Sequence, residues 1–297
     1  MPRVSRETER IIQESVESFP VFATHLWHYL RLPSPTPVQY QLADYLQNGP
    51  ERRIIMAYRG CGKSFLTAGY VLWRLRRNPD TKVLVISAAQ DRADAFSVFC
   101  HDLLRNWFMV KDLFPSDTQR FSKVAFDVYG AKPDQSPSVR SSGIFGQITG
   151  SRADLIVADD VETPQSCETQ LIRDKLRESI KEFDSVIKPG GEIVFLGTPH
   201  TQDSIYAKLE MAGYSCRIWP ALYPTEKKRQ NYYGHRLAPK IQSDLDEDKS
   251  LAGHPVDPRR FGWEELEARQ LSIGKSTFNL QFLLDISVSD EEKFPLK

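Results

Sequence analysis

The sequence predicts an α/β fold: a mostly parallel central sheet covered by helices on both faces, with a small lid-like C-terminal subdomain. Three observations carry this. The short apolar run Arg53–Ala57 breaks into a glycine-bearing loop and then opens the amphipathic segment Phe65–Trp73. Unbroken apolar runs of strand length recur at Lys82–Ala88, Asp154–Ala158 and Glu192–Gly197. Segments at helical spacing separate them. Strands that read as continuous apolar runs are buried on both sides, as parallel strands under helices are.

The remaining elements follow in order. Ile11, Ile12, Val16 and Phe19, then Phe22, Leu26, Tyr29 and Leu30, recur at helical spacing on either side of Pro20 and predict two short helices. Pro33, Pro35 and Pro37 exclude helix until Val38, after which Tyr40, Ala43 and Leu46 mark one. A helix is expected over 90–108, a polar loop or hairpin over 115–140, a long helix over 168–186 and a turn over 188–191. Residues 214–220 read as a further strand. Residues 223–260, rich in Pro, Lys, Asp and Glu, hold no sustained period and form the lid-like appendage. Residues 262–271 are helical, Phe278–Asp285 is amphipathic, and an acidic tail, Ser289–Glu292, follows.

A length of 297 residues suits one large or two modest domains, and 40% apolar residues suffice for a buried core. Lys+Arg and Asp+Glu both number 39, so there is no bulk basicity for nucleic acid. Such contacts have to come from local clusters such as Arg74-Arg76-Arg77, Lys227–Arg229 or Arg259-Arg260, each of which also reads as a solvated face. Four widely spaced cysteines, Cys61, Cys100, Cys167 and Cys216, lack C-x-x-C spacing and paired histidines. They argue against a zinc site or a disulfide framework and fit a reducing cytosol. No signal peptide is visible, and no apolar run reaches the roughly 18 residues a membrane span needs.

The chemistry begins at Arg59-Gly60-Cys61-Gly62-Lys63-Ser64. A loop that follows a strand and opens a helix is the context a phosphate-binding loop requires. Backbone N–H groups from Gly60 through Phe65 converge on one place and favour an anion there. Lys63 would reach the β- and γ-phosphates of ATP, and the Ser64 hydroxyl would hold Mg²⁺. Ala57 stands where the G-x-x-x-x-G-K-[ST] pattern has its first glycine. The expected fold is therefore that of a P-loop NTPase. Gln39 enters a helix from a proline-rich turn shortly before this loop, and its carboxamide both donates and accepts, as an adenine edge requires. A solvent-exposed glutamine on a helix is the plainer alternative.

A second anchor is Asp154–Glu162, whose apolar residues deliver Asp159 and Asp160 to the C-terminal edge of a buried strand. Ligands bind at that edge in open α/β sheets. Asp159 can hold Mg²⁺ opposite Ser64, and a second acid can orient and deprotonate the attacking water. Asp160 and Glu162 are the two choices, with Asp160 favoured by position. A cation on the γ-phosphate, often from a neighbouring subunit, assists phosphoryl transfer. Arg59, Arg140 and Arg152 are candidates. Thr198, at the tip of the next strand, can sense the γ-phosphate, while His200 more simply caps the following helix.

Together the Gln39 segment, Arg59–Ser64, Leu155–Asp160, Phe195–His200 and the closing segment Phe278–Asp285 resemble the ATPase motor of large terminase subunits. These are DNA-packaging proteins of tailed double-stranded-DNA bacteriophages, and the main motifs span residues 37–200. The resemblance implies the additional-strand type of P-loop NTPase, with ATP and Mg²⁺ as cofactors. It implies hydrolysis that drives double-stranded DNA into a procapsid, by a homo-oligomeric ring, a pentamer on the portal protein, working with the small terminase subunit. The setting it implies is the cytoplasm of the infected bacterial host, away from membranes and outside the mature virion. Arg59 would sense or neutralise phosphate, Asp159 would serve the metal, Thr198 would couple hydrolysis to motion, and Arg140 would act in trans on a neighbour's ATP.

Two features depart from the pattern. Asp160 stands where a glutamate is usual. The family's nuclease, with its clustered acids, is missing, and Asp285, Asp290, Glu291 and Glu292 sit in a linker-like tail that does not replace it. The organisation expected is an N-terminal helical segment (1–36), a P-loop ATPase core (37–222), a lid or linker subdomain (223–275) and a tail leading toward a nuclease domain (276–297). Two other readings fit part of the pattern. A superfamily-2-type helicase would need a second motor lobe of about 150 residues, and 201–297 hold too few strand-like runs to build one. Against the other, a nucleotide-gated DNA-binding assembly module that hydrolyses little, stand the intact Lys63, Ser64 and Asp159.

Overall fold

The computed structural model describes residues 6–201 and 203–287, so the acidic tail Ser289–Glu292 lies outside the described residues. Its strands are β1 (Arg52–Ala57), β2 (Val83–Ser87), β3 (Ala125–Phe126), β4 (Val139–Gly143), β5 (Ala153–Asp159), β6 (Ile187–Gly197) and β7 (Ser215–Trp219). They form one seven-stranded sheet in the order β3-β4-β2-β5-β6-β1-β7. β2 runs parallel to both β4 and β5, β1 runs parallel to β7, and the short β3 lies antiparallel on β4. The mostly parallel α/β architecture expected from the apolar runs is the one that forms. Among the described residues no helix is long and apolar enough to cross a membrane.

The chain divides into two compact units, each assembled from separate stretches. The first comprises Met1–Glu51, Gly62–Val161 and Leu176–Val194. Its helices are α1 (Arg6–Glu17), α2 (Phe19–Tyr29), α3 (Pro37–Asn48), α4 (Lys63–Arg77) and α5 (Gln90–Asn106). Ser18 caps α2 and Pro20 sits in its first turn, where a missing N–H costs nothing. Pro20 therefore starts this helix and separates it from α1. Phe19 packs edge-on to Tyr70 at 5.2 Å and against Trp73 at 5.5 Å, and Phe22 meets Trp107 at 4.8 Å. Gly69 permits this approach of α2 to α4, since a β-carbon there would stand 2.9 Å from Leu26 Cδ2.

The second unit comprises Arg52–Cys61, Glu162–Lys175 and Phe195–Lys297. β1 and β7 pair in it, with Arg53 opposite Ser215 and Ala57 opposite Trp219. Helices Ile205–Met211, Pro239–Glu247 and Trp263–Ile273 follow, joined by short helical turns.

Three local expectations give way. Val139-Arg140-Ser141-Ser142-Gly143, where no strand is expected, is strand β4. After Val139 its buried positions are Ser141, Ser142 and Gly143, small rather than bulky and apolar, and the Ser141 hydroxyl pairs with that of Ser97 on α5 at 2.8 Å. The turn expected over 188–191 instead opens the exposed first half of β6. The long helix expected over 168–186 is broken into Pro164–Cys167, Gln170–Lys181 and Phe183–Val186. Thr163 and Ser166 form a capping box at its start, and Thr169 restarts the helix by accepting the Ile172 N–H at 3.3 Å.

Candidate nucleotide site

The phosphate loop is built from two left-handed glycines. Gly60 has φ +88° and Gly62 has φ +96°, a region glycine enters without a β-carbon penalty. Gly62 is the residue from which α4 springs, so Lys63 and Ser64 occupy the first helical positions. Unpaired N–H groups and the helix dipole there favour an anion. Lys63 is buried, whereas Ser64 is exposed.

In the first unit, α4 and β5 meet the end of β2 and the start of α5 around a cavity of about 360 Å³. Its polar lining is Ser64, Ser87, Arg92, Asp159 and Asp160, and Phe65, Ala95, Phe96 and Phe99 form an apolar wall. The parallel register sets Ser87 beside Asp159. Asp160 follows the strand with φ +46°, a left-handed conformation that aspartate tolerates better than most residues. One oxygen of each aspartate, Oδ1 of Asp159 and Oδ1 of Asp160, is shut off from solvent without a hydrogen-bond partner. Burial and the neighbouring Asp160 push the Asp159 carboxyl up to about 7, with Lys63 and Arg92 pulling it back.

Two orphaned carboxylate oxygens beside a serine hydroxyl suit a hard divalent cation such as Mg²⁺. Among the described residues no group of three or more His, Cys, Asp or Glu could hold a metal ion. A cation at Ser64 and Asp159 would therefore complete its shell with water and phosphate oxygens, as Mg²⁺ commonly does.

No family model matches the chain. A curated relative does: the large subunit of the terminase of Enterobacteria phage T3 is 43% identical over 302 residues, covering the whole of this chain and 52% of the relative. The chain is a large-terminase homologue. It spans about half the length of that relative. Two solved structures share the fold. The large terminase ATPase domain of Thermus phage P74-26 matches with a TM-score of 0.50 at 15% identity, covering 88% of this chain and 96% of its own. The large terminase of bacteriophage HK97 matches with a TM-score of 0.50 at 14% identity, covering 90% of this chain and 55% of its own.

Within this terminase homologue, Lys63, Ser64, Phe65, Asp159 and Asp160 come together as the motifs suggested. Gln39 does not stand free to read a base. Its Oε1 accepts the Thr36 N–H at 2.9 Å, which makes it the third helical residue of a capping box on α3. Its Nε2 faces the phosphate loop, 3.1 Å from where a β-carbon on Gly62 would lie. The Thr-x-x-Gln spacing carried that signal in the sequence.

Glu162 is not in the cavity lining. It is fully buried in the second unit, where Oε1 accepts the His200 N–H at 2.6 Å and Oε2 accepts the Ser204 hydroxyl and the Ile205 N–H, both at 2.8 Å. Burial raises this carboxyl while those donors oppose the rise. Of the two acids, Asp160 is the one that lines the cavity, whereas Glu162 is engaged by the 198–205 segment.

Also in the second unit, Arg59 turns to Gln281: its N–H donates to the Gln281 carbonyl and its Nη1 to Gln281 Oε1, both at 2.9 Å. Gly60 lies against Phe261, whose ring a β-carbon would approach to 2.9 Å, and its carbonyl accepts from Arg260. Cys61 and Thr198 are buried. Arg140 leaves β4 to bond Ser151 Oγ at 2.7 Å and the Gln147 carbonyl at 2.9 Å, closing its own downstream loop. Arg152 donates to the Ser185 carbonyl.

Arg92, Phe96 and Phe99 were missed. They lie on α5 directly after β2, and only the strand order reveals that this helix opens beside the acidic strand. Arg92 in the first turns of a helix that follows a buried strand was the available signal.

Proposed function

We propose that this chain is the ATPase motor part of a DNA-packaging terminase, hydrolysing ATP to ADP and phosphate. The observation that carries it is the gathering of Ser64, Asp159 and Asp160 at one cavity, with two carboxylate oxygens left unpartnered and the Lys63 charge acting on Asp159. Lys63 and the N–H groups that open α4 bind and orient the β- and γ-phosphates. Ser64 and Asp159 are the residues that would hold Mg²⁺, and the chemistry it supplies when bound is neutralisation of phosphate charge. Asp160 accepts the proton of the attacking water. The apolar wall of Phe65, Phe96 and Phe99 excludes bulk water from that side. Arg92 brings a second cation to the cavity in cis.

The terminase relationship supports, for the whole subunit, translocation of double-stranded DNA into a procapsid from a ring on the portal protein, with the small terminase subunit as partner, in the infected host's cytoplasm. Arg140 acts in trans there once it leaves Ser151 and Gln147, Thr198 couples hydrolysis to motion, and the nuclease belongs to the part of the relative this chain does not span.

The test is steady-state ATP hydrolysis across a wide range of protein concentration, with and without double-stranded DNA. Turnover that rises with concentration and vanishes in Lys63→Ala is expected, because positioning and charge neutralisation are most of phosphoryl-transfer catalysis. Turnover in Lys63→Ala close to that of the unmodified protein overturns the assignment.

A further inference from the structure

The buried Glu162 carboxylate has work to do that the hydrolytic step does not use. It lies two residues beyond Asp160, in the chain that leaves the acidic strand. That chain is fixed locally by hydrogen bonds: Thr163 and Ser166 form a reciprocal capping box immediately after it, with the Thr163 N–H on Ser166 Oγ at 2.8 Å. Glu162 therefore cannot shift without carrying its neighbours along.

Its oxygens are occupied by the segment that follows β6. The His200 N–H, the Ser204 hydroxyl and the Ile205 N–H converge on them, and both Glu162 and Ser204 are almost completely buried. Hydrogen bonds to a charged acceptor are about twice as strong as neutral ones, and their loss in the interior leaves donors unsatisfied. A further tie between the same stretches is an ion pair, Arg173 Nε with Asp203 Oδ2 at 3.5 Å, whose side chains keep 22% and 39% of their surface exposed. Exposed pairs contribute little. The segment is also pinned where it begins, since a β-carbon on Gly197 would overlap the Tyr206 hydroxyl. Thr198 lies inside the stretch held at both places.

We infer that Glu162 is a positioning residue that ties the end of the acidic strand to the 198–205 segment, so that occupancy of the phosphate site is transmitted to that segment. This rests on the nucleotide site proposed above. The tether acts through Ser204 and backbone N–H groups of the segment, Thr201 among them, and it needs an acceptor-only side chain. Glutamine would put its own N–H groups against donors.

Hydrogen exchange on the full chain, with and without MgADP as the probe, tests it. In the unmodified protein MgADP slows exchange both over 60–66 and over 198–205. Glu162→Gln should keep the first effect and lose the second, Ser204→Ala should lose part of the second, and the double variant should be no worse than Glu162→Gln alone. Slowing over 198–205 that survives in both single variants overturns the tether. Ser204→Ala carries the test if Glu162→Gln does not fold. If MgADP slows nothing in the unmodified protein, the nucleotide reading falls and the ligand-free comparison decides the tether. At least roughly fivefold faster exchange over 198–205 in Glu162→Gln sustains it, and unchanged exchange overturns it. In ATP turnover the tether predicts kcat down at least about tenfold with KM within about twofold. A raised KM with normal kcat would make Glu162 part of the binding fold and overturn the positioning role.

Discussion

Replacing Asp159 by asparagine should make the ligand-free protein more stable while abolishing its Mg²⁺ response. Asp159 and Asp160 stand side by side with one oxygen each buried and without a hydrogen bond, and the charges of Lys63 and Arg92 relieve Asp159 only in part. The Asp159 carboxyl lies at about 7 against an ordinary 3.8. A tenfold change in proton affinity is worth about 1.4 kcal/mol, so the ionised carboxylate costs at most about 4 kcal/mol. The cavity side is open to solvent, which screens part of this, and about 2 kcal/mol is the expected gain. For a chain of this size that is a rise in Tm of about 5 °C. The folded-state value lies above the unfolded one, so the cost is absent below about pH 4, builds as pH rises and is complete above about pH 7. The gain should follow the same course. Thermal melts of both proteins from pH 4 to 8.5, with and without Mg²⁺, measure it. Unmodified protein gains stability from Mg²⁺ at pH 8, whereas Asp159→Asn gains none. A variant that melts at or below the unmodified protein at pH 8 without Mg²⁺ refutes the reasoning.

Two further outcomes are open to direct measurement. His101 on α5 stacks on Phe121 at 4.0 Å and meets Phe126 at 4.8 Å, and burial, with Arg105 adding to it and Asp102 opposing it, holds its pKa below 6.5. Stability should be full above pH 6.5 and fall as the solution is acidified below it, and His101→Phe should flatten that decline in pH-dependent melts. Gln39→Ala removes the acceptor of the Thr36 N–H and should cost about 1 kcal/mol, while Gln39→Glu keeps the acceptor and should cost almost nothing; loss of preference for ATP over GTP in the Glu variant would return the base-reading role to Gln39.

Strands that are apolar throughout were legible because burial on both sides demands such runs, and β2, β5 and the inner half of β6 obeyed. β4 was not, because a helix packed close to a strand selects small side chains rather than apolar ones. Gly143 shows why: a β-carbon there would lie 3.0 Å from the Gln90 N at the start of α5. Serine and glycine in a sequence signal a loop, yet here they are what close approach requires. The same limit hid Arg92. Its neighbourhood depends on β2 inserting between β4 and β5, and strand order is a property of long-range pairing that no local period encodes.

Asp160 brings the two kinds of information together. By pattern it is a departure, a shorter acid where a glutamate is usual. By geometry it is the residue at which the chain leaves β5 in a left-handed conformation, φ +46°. Aspartate is several-fold enriched there because its short side chain bonds locally, and longer side chains pay a steric cost. The backbone thus selects aspartate, and the turn aims its carboxylate at the cavity while the chain runs on to Glu162. The acid that is free and the acid that is bound differ only by this turn. A strand that continued straight would place alternate residues, 160 and 162, on one face, and a single left-handed residue separates them into a group that lines the cavity and a group that holds the fold around it.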